Sequence, residues 1–205
     1  MSGRRAATIL TVLVGLLSII GGLADADEAP QFMPTIGPAS MPAGFLEFCR
    51  RNPEECSART QRGLLVKLDD ARLLDLTVVN RRVNAEIRPA TDLEIYGREE
   101  VWALPKESGD CEDYVLLKRR ELIRRGWPAS ALLVTVVRDE HGDGHAVLTV
   151  RTTRGELVLD NKVDVIRPWY ETPYTYVKRQ ASTDAARWVR IDDSRPDAAV
   201  ASIRR

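Results

Sequence analysis

Histidine and cysteine are scarce in this chain, and net charge is absent. Its 205 residues include two histidines and three cysteines, and Lys+Arg and Asp+Glu stand equal at 30 each. The charge balance removes any overall electrostatic case for a nucleic-acid or anionic-membrane partner. The two histidines, His141 and His145, form no common zinc spacing with Cys111, and His141 in its glycine-containing turn reads as an exposed loop residue. No internal repeat is present. The rest of the composition, 44% hydrophobic and 29% charged, describes a globular chain long enough for one domain plus a leader.

Arg4 and Arg5 precede residues 6–23, an apolar run without a charge, and Ala24-Asp25-Ala26 supplies small residues at the two positions a signal peptidase inspects. Residues 1–26 are therefore expected to be a secretory signal cleaved after Ala26. The alternative is an uncleaved anchor of near-minimal spanning length. Either way the rest of the chain is expected to be exported, periplasmic or secreted. In an oxidising compartment Cys49 and Cys56, with Pro53 favouring a turn between them, are expected to pair. That leaves Cys111 as an odd thiol, which invites a reactive role.

Residues 27–42, rich in Pro, Ala and Gly, read as a linker. Leu73, Leu76, Val79, Val83 and Ile87 recur at spacings of three and four, predicting an amphipathic helix over 71–87 that Pro89 ends. Residues 91–108 read as irregular. A second helix is predicted from Cys111 to a stop at Gly126, with Pro128 beyond it. Residues 132–137, 145–152 and 156–159 read as three antiparallel strands joined by short turns. An aromatic strand or loop pair follows over 168–177. Residues 181–205 read as a tail in which only 188–191 can pack. Helices followed by strands mean an α+β fold, with the domain over 43–180.

The chemistry gathers around Cys111. Asp110 suits the N-cap, Cys111 the first helical position and Asp113 the third, so the thiol sits at the positive end of a helix, where thiolate is favoured. A buried structural cysteine is the plain alternative. With Thr153 and Arg154 as turn residues, Asp160 falls opposite Val147, and His145 becomes its diagonal neighbour on the same face. A slip of one residue would separate the two faces. A carboxylate orienting an imidazole that faces a thiol is the nucleophile–base–orienter arrangement.

Gly109-Asp110-Cys111-Glu112-Asp113-Tyr114, Gly144-His145-Ala146-Val147 and Leu159-Asp160-Asn161, in that order, resemble the motifs of the bacterial transglutaminase-like cysteine proteinases, periplasmic proteases of the LapG type. The likeness spans about residues 43–180 and includes the Cys49/Cys56 pair and Val101-Trp102-Ala103. It implies a papain-like or transglutaminase-like core, with N-terminal helices and the nucleophile helix packed on an antiparallel sheet. It implies Cys111 as nucleophile, His145 as general base and Asp160 as the residue that orients it. Studied members cut a large surface adhesin, release bacteria from biofilm, require calcium and are sequestered by an inner-membrane receptor. A protein substrate, a calcium ion and such a receptor are thus implied here. The family's calcium ligands match Asp110 and Glu112, with Asp113 as an extension. Charge gives the ion an independent motive: three acids beside a thiol raise its pKa, and a cation with oxygen ligands would neutralise them. Against that stands simple helix capping by the same acids.

Trp102 either lines the cleft or packs, Asn161 is explained by turn chemistry, and Trp169 and Tyr170 either shape a peptide groove or pack. Residues 103–108 form a shorter segment than in the adhesin-cleaving members, which leaves the substrate open. Three readings stand: an exported cysteine endopeptidase, a transglutaminase or amidase using the same triad, and a catalytically silent binding module.

Overall fold

A computed structural model describes residues 31–56 and 63–195; the expected signal sequence lies outside them. In chain order the elements are β1 (Thr35–Ala39), α1 (Ala43–Arg51), α2 (Pro53–Cys56), α3 (Asp70–Glu86), β2 (Arg88–Pro89), α4 (Asp92–Tyr96), β3 (Ser108–Gly109), α5 (Cys111–Arg124), β4 (Leu132–Arg138), β5 (Gly144–Thr152), β6 (Gly155–Leu159), β7 (Arg167–Pro168), β8 (Thr175–Ala181) and β9 (Asp184–Ile191).

Local chemistry sets the start of α3 and the end of α5. Asp69 caps α3 by accepting from the Arg72 N–H at 2.9 Å, and Leu76, Val79 and Val83 form its buried stripe. Helix α5 ends at the predicted glycine: Gly126 has φ +82°, its N–H reaches the Ile123 carbonyl at 2.9 Å, and the Trp127 N–H reaches Leu122 at 3.0 Å. This paired closure of the last carbonyls needs a left-handed residue, which glycine supplies without a Cβ clash. Cys49 and Cys56 form the expected disulfide between α1 and α2. The Glu55 carbonyl of that hairpin accepts from Arg119 at 3.0 Å, and its carboxylate pairs with Arg120 at 2.9 Å, fastening α2 to α5.

The sheet has seven strands in the order β1-β9-β8-β4-β5-β6-β7, every neighbouring pair antiparallel. Thr152 lies opposite Gly155 and Leu148 opposite Leu159, so Thr153 and Arg154 are the turn residues and the register is the one predicted. Both faces of the sheet are covered. Helix α5 lies against one, with α3 packed on α5, so that Leu76, Val79, Tyr114 and Leu122 join Val134, Leu148 and Leu159 in one core. On the other, Val137, Val147 and Val158, together with Tyr176 of β8 and Ile191 of β9, are covered by Met33, Trp169 and Tyr174 from segments outside the strands. Double coverage explains why β4 to β6 read as continuous apolar runs.

Three segments differ from the sequence reading. Part of the expected linker is β1, which pairs with β9 through a register shift around Gly37 (φ +62°) and Pro38. Proline is tolerated there because β1 is an edge strand and bulged. Part of the expected tail is β9, whose pattern is faint because only Trp188 and Ile191 are buried. The segment expected to be irregular contains α4, opened by a capping box between Thr91 and Glu94. Among the described residues, no helix is long and apolar enough to cross a membrane.

Candidate active site

Strands β2 and β3 run parallel, Pro89 beside Gly109, and the Ala90 N–H donates to the Gly109 carbonyl at 3.0 Å. That pairing fixes the start of α5 against the chain entering α4. A Cβ at Gly109 would come within 2.6 Å of Asp113 Oδ2, so only glycine lets the Asp113 carboxylate fold back beneath the helix start. Cys111 is the first helical residue and half-buried. Its sulfur lies 3.1 Å from Glu112 Oε2. Burial, followed by the Glu112 carboxylate, pushes the thiol well above its ordinary pKa, and the backbone N–H of Ala146 on β5 opposes that rise.

His145 stands at the start of β5, 4% exposed, and shares with Cys111 a cleft of about 320 Å³ bordered by Ala43, Glu100, Trp102 and Lys178. Its Nε2 lies 3.0 Å from Asp160 Oδ1. A proton on Nε2 satisfies that carboxylate and leaves Nδ1 as the nitrogen with a free lone pair. Asp160 Oδ1 also accepts from the Lys162 N–H at 3.0 Å, and Oδ2 accepts from the Tyr174 hydroxyl. Burial alone would raise the Asp160 pKa, but His145, Tyr174 and the Lys162 amide together hold it below the ordinary value.

A group of acids adjoins the thiol. Ligand atoms of Asp92, Asp110 and Asp113 lie within 4.8 Å of one another. The Val101 N–H donates to Asp92 Oδ2, and the Ala103 N–H donates to Asp113 Oδ1 at 2.7 Å. One buried oxygen on each of the three, Asp92 Oδ1, Asp110 Oδ1 and Asp113 Oδ2, has no hydrogen-bond partner. Burial first and neighbouring carboxylates second push Asp110 and Asp113 each up to about 8. Asp110 occupies the N-cap position, yet its side chain makes no cap hydrogen bond.

The sequence profile described as bacterial transglutaminase-like cysteine proteinase matches residues 35–196. The chain belongs to this family. Legionella pneumophila LapG in its calcium-bound form is similar to it in fold, with TM-score 0.50 and 24% identity over 65% of this chain and 76% of that one. The same protein after EGTA treatment gives TM-score 0.48 and 23% identity over 60% of this chain and 72% of that one. No curated protein matches the sequence. Family membership makes this a cysteine peptidase with a transglutaminase-like fold, and a peptidase takes a protein substrate.

His145 and Asp160 lie 3.0 Å apart across the two-residue turn, and Cys111 at the helix start lines the same cleft as His145. Of the three acids expected around the thiol, Asp110 and Asp113 group together, while the Glu112 carboxyl turns toward Sγ and shares a hydrogen bond with Asp110. Asp92 takes the third place. Thr91 followed three residues later by Glu94 marks a helix start and an acidic first turn at Asp92, a signal present in the sequence. Tyr174 had no local signal, because its role comes from a loop folded back over β6. His141 is exposed in the turn before β5, and Trp102 is 4% exposed yet borders the cleft.

Proposed function

We propose that the chain is an exported cysteine endopeptidase in which Cys111 is the nucleophile, His145 the proton carrier and Asp160 the residue that orients it. One observation carries this reading: an imidazole held at 3.0 Å by a buried carboxylate opens onto the same cleft as a thiol at a helix N-terminus. His145 Nδ1 removes the thiol proton as sulfur attacks the scissile carbonyl carbon, then delivers that proton to the departing amine. Water, deprotonated by the same nitrogen, releases the acyl group from sulfur. Asp160 keeps the Nε2–H bond throughout and stabilises the imidazolium. The start of α5 supplies N–H groups without intrahelical acceptors, which suit a developing oxyanion.

Asp92, Asp110 and Asp113 would hold a calcium ion, with Glu112 at the edge of the set. Three carboxylates with one unpartnered buried oxygen apiece make a hard-oxygen donor set of the kind calcium takes. The bound ion would supply positive charge that compensates the acids packed against the thiol. That Legionella pneumophila LapG has a calcium-bound form supports calcium as the ion, without bearing on which residues here would hold it. The family resemblance offers a large cell-surface protein of adhesin type as a candidate substrate, an inner-membrane receptor as a candidate regulatory partner and the periplasm as the expected location, while the short 103–108 segment leaves the substrate itself open. The test is a peptide-library digest with wild type and Cys111→Ala, each with calcium and with chelator. Cleavage by wild type alone, lost on chelation, is expected. Amine incorporation into glutamine peptides without cleavage would overturn the endopeptidase reading.

A further inference from the structure

The Tyr174 hydroxyl donates to Asp160 Oδ2, the oxygen that neither His145 nor the Lys162 N–H uses. Its ring lies edge-on against the His145 imidazole, centroids 5.3 Å apart. Tyr174 is in turn gripped by the chain beyond β9. Arg195 donates through Nη2 to the Tyr174 carbonyl at 2.6 Å and through Nη1 to the Trp169 carbonyl at 3.2 Å. The same guanidinium stacks over Trp169 at 4.5 Å and pairs with Asp193 at 2.7 Å. Asp193 accepts from the Tyr176 N–H at 2.8 Å, so the Arg–Asp pair holds the Tyr174 loop at both ends.

We propose that Tyr174 is a positioning residue for the triad, and that Asp193 and Arg195 transmit the hold of the C-terminal segment to Asp160 and His145. The proposal rests on the Cys111–His145–Asp160 reading and deepens it. A carboxylate bonded through one oxygen can still turn about its Cβ–Cγ bond. An O–H···O⁻ bond to the second oxygen fixes its plane, and such charge-assisted bonds are among the stronger ones. The ring edge against the imidazole restricts the other partner. His145 then presents Nδ1 to the cleft in one orientation.

Tyr174→Phe keeps the ring and removes only the hydroxyl. It should lower kcat on the best-cleaved library peptide about 10- to 100-fold with KM unchanged, the loss of one hydrogen bond to a charged group. The far-downfield proton resonance of the His145–Asp160 bond should shift or broaden. Arg195→Ala should give a smaller loss of the same kind, and the double variant should be no worse than Tyr174→Phe alone. Should Arg195→Ala fail to fold, Arg195→Lys, which keeps the charge and loses the planar stack, is measured in its place. The resonance is read without substrate in a Cys111→Ala background. Absence of turnover by wild type would therefore count against the peptidase reading and leave this test standing. An unshifted resonance or an unchanged kcat in Tyr174→Phe overturns the positioning role, and additive losses in the double variant overturn the clamp.

Discussion

Asp160 must stay ionised to hold an imidazolium, in a place where it is 2% exposed. Desolvation works against that charge, and the three donors around it more than offset the penalty, so the folded pKa lies below the ordinary carboxylate value. A carboxylate depressed in the fold adds stability that is present above its unfolded value and lost as pH falls through the folded one. The contribution of this residue is therefore level across neutral pH and disappears only in strong acid. Asp160→Asn preserves size but offers Nε2 no anionic acceptor and permits the wrong tautomer. Turnover should fall by about 100-fold or more, and the acid limb of a pH-dependent melting series should lose the part that Asp160 supplied. Cys111→Ala should abolish turnover with an unchanged melt, and His141→Ala, in its exposed turn, should leave both as they were. Near-wild-type turnover by Asp160→Asn would remove it from the triad.

Helix α5 carries more than the thiol. Lys118 lies on the same helix, 1% exposed, its ammonium 5.8 Å from the Tyr114 ring and within the fields of Asp160 and Asp164. Burial pushes its pKa down to about 7 even though both carboxylates pull the other way. The unfolded chain keeps this proton up to the ordinary lysine range, so between about 7 and that range the unfolded state holds more protons than the fold. Stability from this residue must rise with pH across that window. In Lys118→Met the rise should flatten, which urea melts at a series of pH values would show; an identical slope in both proteins would mean that Lys118 stays charged in the fold. The sequence foretold where α5 starts and where Gly126 stops it, because helix boundaries and a two-residue turn are local chemistry, although Asp110 stands at the N-cap without making the cap hydrogen bond. The same locality made the facing of His145 and Asp160 legible. Lys118 carried no sequence signal for burial, Tyr174 fell in the expected aromatic strand or loop pair with no sign of its partner, and β1 and β9 read as linker and tail because β1 is a bulged edge strand and β9 buries only Trp188 and Ile191. Asp92 is the exception, since the capping box that opens α4 around it is local and legible in the sequence.

At the scale of the molecule, the cleft is closed by parts far apart in sequence. Strand β1 is pinned by β9 and by the Lys178 ammonium, which donates to the Ser40 carbonyl at 2.9 Å, and the chain then passes Pro42 and Ala43 along the cleft. A protein beginning at residue 43 should therefore melt lower and cleave more slowly than one beginning at residue 31, the comparison being made by calorimetry and peptide turnover. The acidic group is equally composite, since Asp92 comes from α4 and Asp110 and Asp113 from the start of α5. An ion held there bonds the folded arrangement and not the unfolded chain, so it must stabilise the whole fold. At a hundredfold excess over its dissociation constant the gain is about 2.7 kcal/mol, which for a domain of this size raises Tm by roughly 5–10 °C. Chelator should reverse the rise. Asp92→Asn, which keeps an oxygen to accept from the Val101 N–H, should abolish the calcium response while leaving the calcium-free melt close to wild type. Glu112→Gln should keep the response, because its carboxyl faces the sulfur and stands outside the group of three. The opposite pattern, with calcium response lost in Glu112→Gln and kept in Asp92→Asn, would return the site to the acids flanking Cys111 in sequence.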